Sequence, residues 1–494
     1  MSKHQQHYRS IFKSTSLIGG SALINILIGM VRTKFVAVLL GPTGVGLVGM
    51  FTSVLGPINT IAGMGVATSG VRQIAEAHGK GDTTRISEVV SVLRRTVWGT
   101  GILGCVLTIA LSPWLSEWTF KSREYTSSIA MLGMTILLGN ISVGQKCIIQ
   151  GTRRIADLAK MSILEAVKGT LISIPCYYLW GLQGVVISLL LCSIVSLAIS
   201  WFYARKIPIQ SIRISVPFLK SEVRRLLGFG LPIMASGFML AINAYFLRLI
   251  IKGQFGLDGM GIWSAAFAIS GILVNFVLNA MGADYYPRLT GVISDTAQVK
   301  REVNAQTEIA LLLATPLLLV TILFAPLGIQ LLYSGKFDAA IPVLRWSVYG
   351  ILGRVISWPL GFVILAQGRG KLYFCSELFT SLVYLGLMWG CGRMWGLLGT
   401  GIAFVLLYVV YTALMIVVVK TVANAHWSWH TLGLIVAVCG ILVAAGGMPM
   451  LIQSPWVYYS VSGIMTVATS GILLLRLSKK TGITFSEVKR RMSQ

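Results

Sequence analysis

Acidic residues are scarce in this chain. Asp and Glu number 16 among 494 residues, and charged residues of both signs make up only 12%, against roughly a quarter in an average soluble domain. Polar sequence is also short of continuous length, so no segment remains from which a sizeable soluble domain can be built. Cysteine is sparse and scattered. The seven residues Cys105, Cys147, Cys176, Cys192, Cys375, Cys391 and Cys439 show no C-x-x-C spacing and no neighbouring His or carboxylate cluster, which argues against a disulfide framework or a metal site and for packing roles. The first apolar stretch lacks a small-residue cleavage site, so no removable signal peptide is expected. No cofactor motif is present.

What the chain does have is apolar length. Hydrophobic residues account for 55% of it, in runs of about 20, the length a helix needs to cross the hydrocarbon core. Bounded by Gly, Pro and charge clusters, these runs predict an all-α integral membrane protein of about fourteen transmembrane helices. They lie near 14–38, 45–67, 96–116, 127–149, 161–180, 184–204, 227–251, 259–282, 305–332, 340–366, 372–391, 396–419, 431–450 and 456–475.

Lys and Arg number 41 and give a formal charge of +25, which in a soluble protein would suggest nucleic acid. Their placement excludes that reading. Of the 41, 29 fall in the termini and alternate loops, 5 in the opposite loops and 7 inside spans, a strong positive-inside bias. Both termini are therefore expected in the cytoplasm. The basic side includes Arg72, Arg94, Arg95, Arg153, Arg154, Arg205, Lys206, Arg224, Arg225 and the tail Lys479, Lys480, Lys489, Arg490 and Arg491, and it sets topology and meets anionic membrane lipids. The longest outward loop, near 117–126, is too short for the catalytic domain of a membrane glycosyltransferase or polymerase. The expectation is a transporter and not an enzyme.

Three local patterns recur in order. Gly41-Pro-Thr-Gly44-Val-Gly46 returns as Gly256-Leu-Asp-Gly259-Met-Gly261, and Trp180-Gly181-Leu182-Gln183-Gly184 as Trp395-Gly396-Leu397-Leu398-Gly399, both 215 residues later; Gln150-Gly151 returns as Gln367-Gly368, 217 residues later. The repeats predict two pseudo-symmetric six-helix halves, 1–204 and 227–420, joined by a basic cytoplasmic linker at 205–226. Residues 421–494 add two helices and a basic tail. Six spans return the chain to its starting side, so a two-fold axis along the membrane normal is expected, with cargo between the halves and access alternating as they rock.

Ionisable groups at the bilayer centre cost about 3 kcal/mol or more on insertion scales and mark cavities or partners. The spans hold Arg32, Lys34, Lys146, Lys168, Arg248, Arg345 and Arg354 against Glu165, Glu308 and Glu377. On the first span Ser21, Asn25, Gly29 and Arg32 form one polar stripe at helical spacing, while Lys34 lies on another face. Arg248 occupies nearly the duplicated place of Arg32. Arg354 stands near Ser357 and Trp358, Asn275 and Asn279 share a face, and Tyr373, Glu377, Ser381 and Tyr384 form a further stripe. Glu165 and Lys168, at i and i+3, are expected to pair on one helix. The remaining basic residues predict a pocket for an anionic group such as phosphate, which the planar fork of Arg binds through two oxygens. Glu377, Glu308 and Asp284 are the candidates for titration, and the residues do not choose between H⁺ and Na⁺ as a coupling ion.

The stretch around Arg32 to Glu76, "VRTKFVAVLLGPTGVGLVGMFTSVLGPINTIAGMGVATSGVRQIAEA", resembles the start of bacterial O-antigen and polysaccharide translocases of the multidrug/oligosaccharidyl-lipid/polysaccharide superfamily. The stretch Gly259 to Leu289, "GMGIWSAAFAISGILVNFVLNAMGADYYPRL", is similar to the matching part of their second half. The resemblance implies a flippase of the bacterial inner membrane. Its cargo would be an undecaprenyl-diphosphate-linked oligosaccharide, carried from the cytoplasmic to the periplasmic leaflet for polysaccharide assembly alongside other membrane proteins of that process. It also implies a cationic central cavity, to which Arg32, Arg248 and Arg354 correspond. A cation-coupled multidrug exporter of the same fold is the alternative. Such exporters commonly carry an acid in the first span, and this chain has none there.

Overall fold

A computed structural model describes the backbone of residues 3–481 apart from 211 and 213. It describes side chains from 20 to 478 apart from those two and 273, 276, 280 and 283. The N-terminal Met1–Lys13 segment and the tail cations Lys479 to Arg491 lie outside the described side chains. The helices are α1 (Lys3–Gly63), α2 (Val66–Gly79), α3 (Thr83–Phe120), α4 (Thr126–Gly151), α5 (Ile155–Trp180), α6 (Gly184–Ala204), α7 (Val216–Gly291) and α8 (Thr296–Leu323). They continue with α9 (Ala325–Leu332), α10 (Ala340–Ala366), α11 (Gly370–Trp395), α12 (Leu398–Ala423), α13 (Trp429–Leu451) and α14 (Pro455–Thr481).

Eleven of these helices are long and apolar enough to cross a membrane. α5 is not among them because Asp157, Lys160, Glu165 and Lys168 load it with charge. α1 has 61 residues and α7 has 76, far beyond the roughly 20 that one crossing needs. Each is broken once. Gly41 (φ 64°, ψ −167°) and Gly256 (φ 69°, ψ −170°) interrupt the helical dihedrals, a conformation in which a side chain would clash and glycine does not. The second expected span ends early: Met64 and Gly65 take φ of 45° and 64°, and α2 begins at Val66. The interval 305–332 is likewise divided at Phe324 between α8 and α9.

The duplication is written into the backbone. Gly41 and Gly256 share one conformation 215 residues apart, as do Gly181 and Gly396, which terminate α5 and α11. The third pair is corrected. The left-handed residue after α4 is Arg153 (φ 57°) and its counterpart after α10 is Gly368 (φ 69°), so this turn too repeats at 215 and not at 217. A Cβ on Gly184 would strike the Cys176 carbonyl, and one on Gly399 would strike that of Cys391, again 215 apart.

The chain forms two compact units, Met1–Leu249 and Ile250–Gln494. In the first, α1 packs along α5, α3 along α4, and α6 against α4 and α5. α3 and α4 approach through Gly101, Gly104, Gly133 and Gly144, where an added Cβ would meet neighbouring atoms at 3.0 Å or less. Small residues of this kind allow the van der Waals contact that drives helix association in lipid. A core of Ile74, Val90, Leu93, Ile148 and Met161 lies under α2. The expected cytoplasmic linker is pinned to this unit: Ser87 Oγ accepts from Gln210 N at 3.1 Å and Arg85 pairs with Glu222 at 2.7 Å, while just beyond the linker Arg72 lies over the Phe229 ring at 4.6 Å.

In the second unit α10 packs on α12 and α8, and α11 on α12. The two appended helices dock on α8 through a core of Leu311, Ala314, Leu318, Val438 and Leu442. Val436, Val443, Ile464 and Val467 on these helices are exposed, as expected of faces whose solvent is lipid. Polar bonds fix the dock. Thr431 Oγ1 donates to Glu308 Oε1 at 2.9 Å, and His430 Nδ1 stands 3.0 Å from the same oxygen. Arg345 Nη2 donates to the Tyr458 hydroxyl at 3.3 Å, and Tyr458 donates to Leu323 O at 2.6 Å.

Candidate functional site

The polar stripe of α1 faces α5. Asn25 Nδ2 donates to Ser162 Oγ, and Arg32 Nη1 lies 3.4 Å from where a Cβ on Gly169 would stand. Next to this contact sits a second group of charges. Lys146 on α4 pairs with Glu165 on α5 at 2.9 Å, and Ser196 on α6 donates to the other oxygen of Glu165 at 2.7 Å. Lys168 Nζ donates to the Cys192 carbonyl at 3.1 Å. The expected Glu165–Lys168 pair on one helix is therefore replaced by contacts between helices. Glu165 has two oxygens to satisfy, and α4 and α6 present a cation and a hydroxyl to them in a medium where unsatisfied charge is most costly.

The other predicted residues of the first unit are placed as follows. Arg248 is half-buried on α7, one turn past the buried Tyr245, whose hydroxyl meets Thr119 Oγ1 at 2.8 Å. Lys34 is half-buried on α1.

The second unit brings Arg354 to Asn275 and bonds Glu377 from the next helix. Arg354 Nη1 donates to Asn275 Oδ1 at 2.7 Å, and the Tyr411 hydroxyl donates to Glu377 Oε1 at 3.1 Å. Asn279 is exposed one turn beyond Asn275. The remaining titration candidates are engaged in local structure: Asp284 pairs with Arg288 at 3.0 Å, and Glu308 holds α13.

In each repeat the fourth span carries a cation, the fifth a carboxylate and the sixth a hydroxyl bonded to that carboxylate. These are Lys146, Glu165 and Ser196 in the first, and Arg354, Glu377 and Tyr411 in the second. The hydroxyls Ser196 and Tyr411 were not singled out from sequence, although the 215-residue offset relates them directly. The units differ in bonding. Lys146 grips its acid, whereas Arg354 is turned to an amide. Beside Tyr408 an apolar groove of about 880 Å³ opens between α10, α12 and α13, lined by Trp346, Leu352, Ile356, Val409, Ile435 and Val443.

Long apolar helices in two repeated sets, with ion pairs and polar bonds made between helices, define a polytopic membrane protein of transporter architecture. The chain belongs to the polysaccharide biosynthesis protein family, whose model matches residues 35–342. It is 23% identical over 412 residues to the lipid III flippase of Escherichia coli (strain K12), covering 82% of this chain and 97% of that protein. The solved structure of the lipid II flippase MurJ in an inward closed conformation matches with a TM-score of 0.67 at 12% identity, covering 96% of this chain and 100% of that one. An inward-facing multidrug resistance MATE family transporter of the MOP superfamily matches with a TM-score of 0.64 at 18% identity, over 82% and 98% of the two chains. At these identities the two structural likenesses show the fold.

Proposed function

We propose that the protein is a flippase that moves an undecaprenyl-diphosphate-linked oligosaccharide repeat unit from the cytoplasmic to the periplasmic leaflet of the bacterial inner membrane by alternating access. The observation that carries this reading is the presence, in a member of a polysaccharide biosynthesis family, of membrane-embedded arginines beside amide and hydroxyl groups. Arg32 and Arg248 of the first unit take the diphosphate, with Arg354 as the base of the second. A diphosphate offers several charged oxygens to such side chains, and charge-assisted bonds of this type are about twice as strong as neutral ones. Asn25, Lys34, Asn275, Asn279 and Glu377 supply polar contacts to cargo, and the apolar groove beside Tyr408 accommodates part of the prenyl chain. The termini lie in the cytoplasm, a placement that the excess of Lys and Arg in alternate loops supports.

The likeness to a multidrug transporter fold supports the second reading, export of cationic drugs coupled to an ion. The absence of Asp and Glu from 14–38 weighs against it. The deciding measurement is transfer of fluorescent lipid-linked oligosaccharide across proteoliposomes containing the purified protein. Transfer is the expected result. Efflux of a cationic dye without lipid transfer would establish the exporter instead.

A further inference from the structure

The first unit carries three cations near one acid: Lys146 paired with Glu165, Lys168 one turn along α5 from it, and Arg32 against Gly169 on the same turn. Lys146 and Glu165 are 2.9 Å apart, with side chains 34% and 23% exposed, so the pair is reachable and not sealed in a core. Lys168 bonds a neutral carbonyl, which satisfies one N–H but leaves its charge without an ion-pair partner at contact distance. The Arg32 guanidinium covers Gly169, the next residue along α5. A single carboxylate thus neutralises one of three positive charges. Glu165 is held by a Lys ammonium and the Ser196 hydroxyl, partners that serve a phosphate oxygen equally well.

We propose that Glu165 is a resident stand-in for the cargo's anion: it occupies Lys146 while the site is empty, and the lipid diphosphate displaces it, drawing Lys146 and Lys168 with Arg32 onto phosphate oxygens. This rests on the reading of the cargo as a lipid diphosphate. Its physical sense lies in both directions of the cycle. Without Glu165, an empty carrier would hold three like charges in the bilayer. With it, cargo must break an existing ion pair to bind, which keeps affinity low enough for release on the far side, as conduction through any binding site requires.

The test is binding of farnesyl diphosphate to the purified full-length protein in nanodiscs, followed by tryptophan fluorescence, with thermal melting as the check on folding. Glu165→Gln removes the competing anion and is expected to bind about tenfold more tightly, the effect of one charge-assisted bond no longer broken. Ser196→Ala, a change any helix accepts, loosens the hold on Glu165 and is expected to shift affinity in the same direction by about threefold. Lys146→Met and Lys168→Met weaken binding by about tenfold. Glu165→Gln placed on Lys146→Met changes nothing further, because the two residues act as one exchange. Equal or weaker binding by both folded Glu165→Gln and Ser196→Ala, while the wild type binds, overturns the stand-in role and leaves the flippase reading intact. Failure of the wild type and every variant to bind overturns both.

Discussion

Ser196 and Tyr411, 215 positions apart, each donate a hydrogen bond to a carboxylate on the helix before their own, Ser196 to Glu165 at 2.7 Å and Tyr411 to Glu377 at 3.1 Å. Serine and tyrosine share little but the hydroxyl. That the hydroxyl alone is common to both positions indicates that an acid steadied from the sixth span is the shared requirement of the two halves.

If Arg32 and Arg248 grip the diphosphate, replacing both with Ala abolishes surface glycan while leaving the amount of protein in the membrane unchanged. Immunoblots for protein and glycan on the same cells measure this. Normal glycan in the double variant would sink the assignment.

The bends at Gly41 and Gly256 predict a matched pair of effects. Ala at either site is forced into left-handed space and destabilises by about 1–2 kcal/mol. Ala at Gly253, a helical site where a Cβ meets nothing within 4 Å, is neutral or mildly stabilising. Thermal melting in detergent compares the three, and an equal loss at Gly253 would mean that the dihedral is not the cause.

Tyr458 joins three elements through one hydroxyl, accepting from Arg345 and donating to Leu323 O. Tyr458→Phe removes the bonds at Arg345 Nη2 and Leu323 O, while Arg345 Nε keeps Ile322 O, a loss of about 1–3 kcal/mol. It is expected to speed protease cleavage between α13 and α14 and between α12 and α13, with cleavage in the first unit unchanged.

Acid should fray the start of α8. Bonds from the Gln298 backbone and side chain, and then from Ala297 N, hold the Asp295 carboxyl below its ordinary range. A depressed folded value means that the cap stabilises above the unfolded value of about 4 and is lost as pH falls through the folded one. Hydrogen exchange at Ala297 and Gln298, corrected for intrinsic rates, should lose protection below about pH 4. Asp295→Asn keeps a capping oxygen without the titration, so its protection should be flat over the same range.

Apolar length and the Gly-rich turns made the helices and the duplication legible, because both depend on local chemistry. Helical spacing gave the polar stripe of Asn25 and Arg32, whereas the bond from Arg354 to Asn275 joins two helices across 79 residues and only the fold shows it. What escaped was partner choice. Glu165 and Lys168 are neighbours at helical spacing, and nothing local says that Lys146, 19 residues earlier, and Ser196, 31 later, will claim the acid first. The Arg153 turn was misaligned by two residues because its identity points to Gln150-Gly151, whereas the backbone needs its left-handed residue at Arg153. The ends of the second and ninth spans shifted for the same reason: a left-handed turn at Met64 and Gly65 and the break at Phe324 leave no gap in hydropathy.

The identical bends at Gly41 and Gly256 are also a record of descent. Two positions 215 residues apart have kept one pair of dihedral angles although most side chains around them differ, which is the mark of a gene that once encoded six spans and was copied in tandem. The copies have since diverged, and Ser196 against Tyr411, equivalent in place and alike only in the hydroxyl each turns to an acid, is that divergence made chemical.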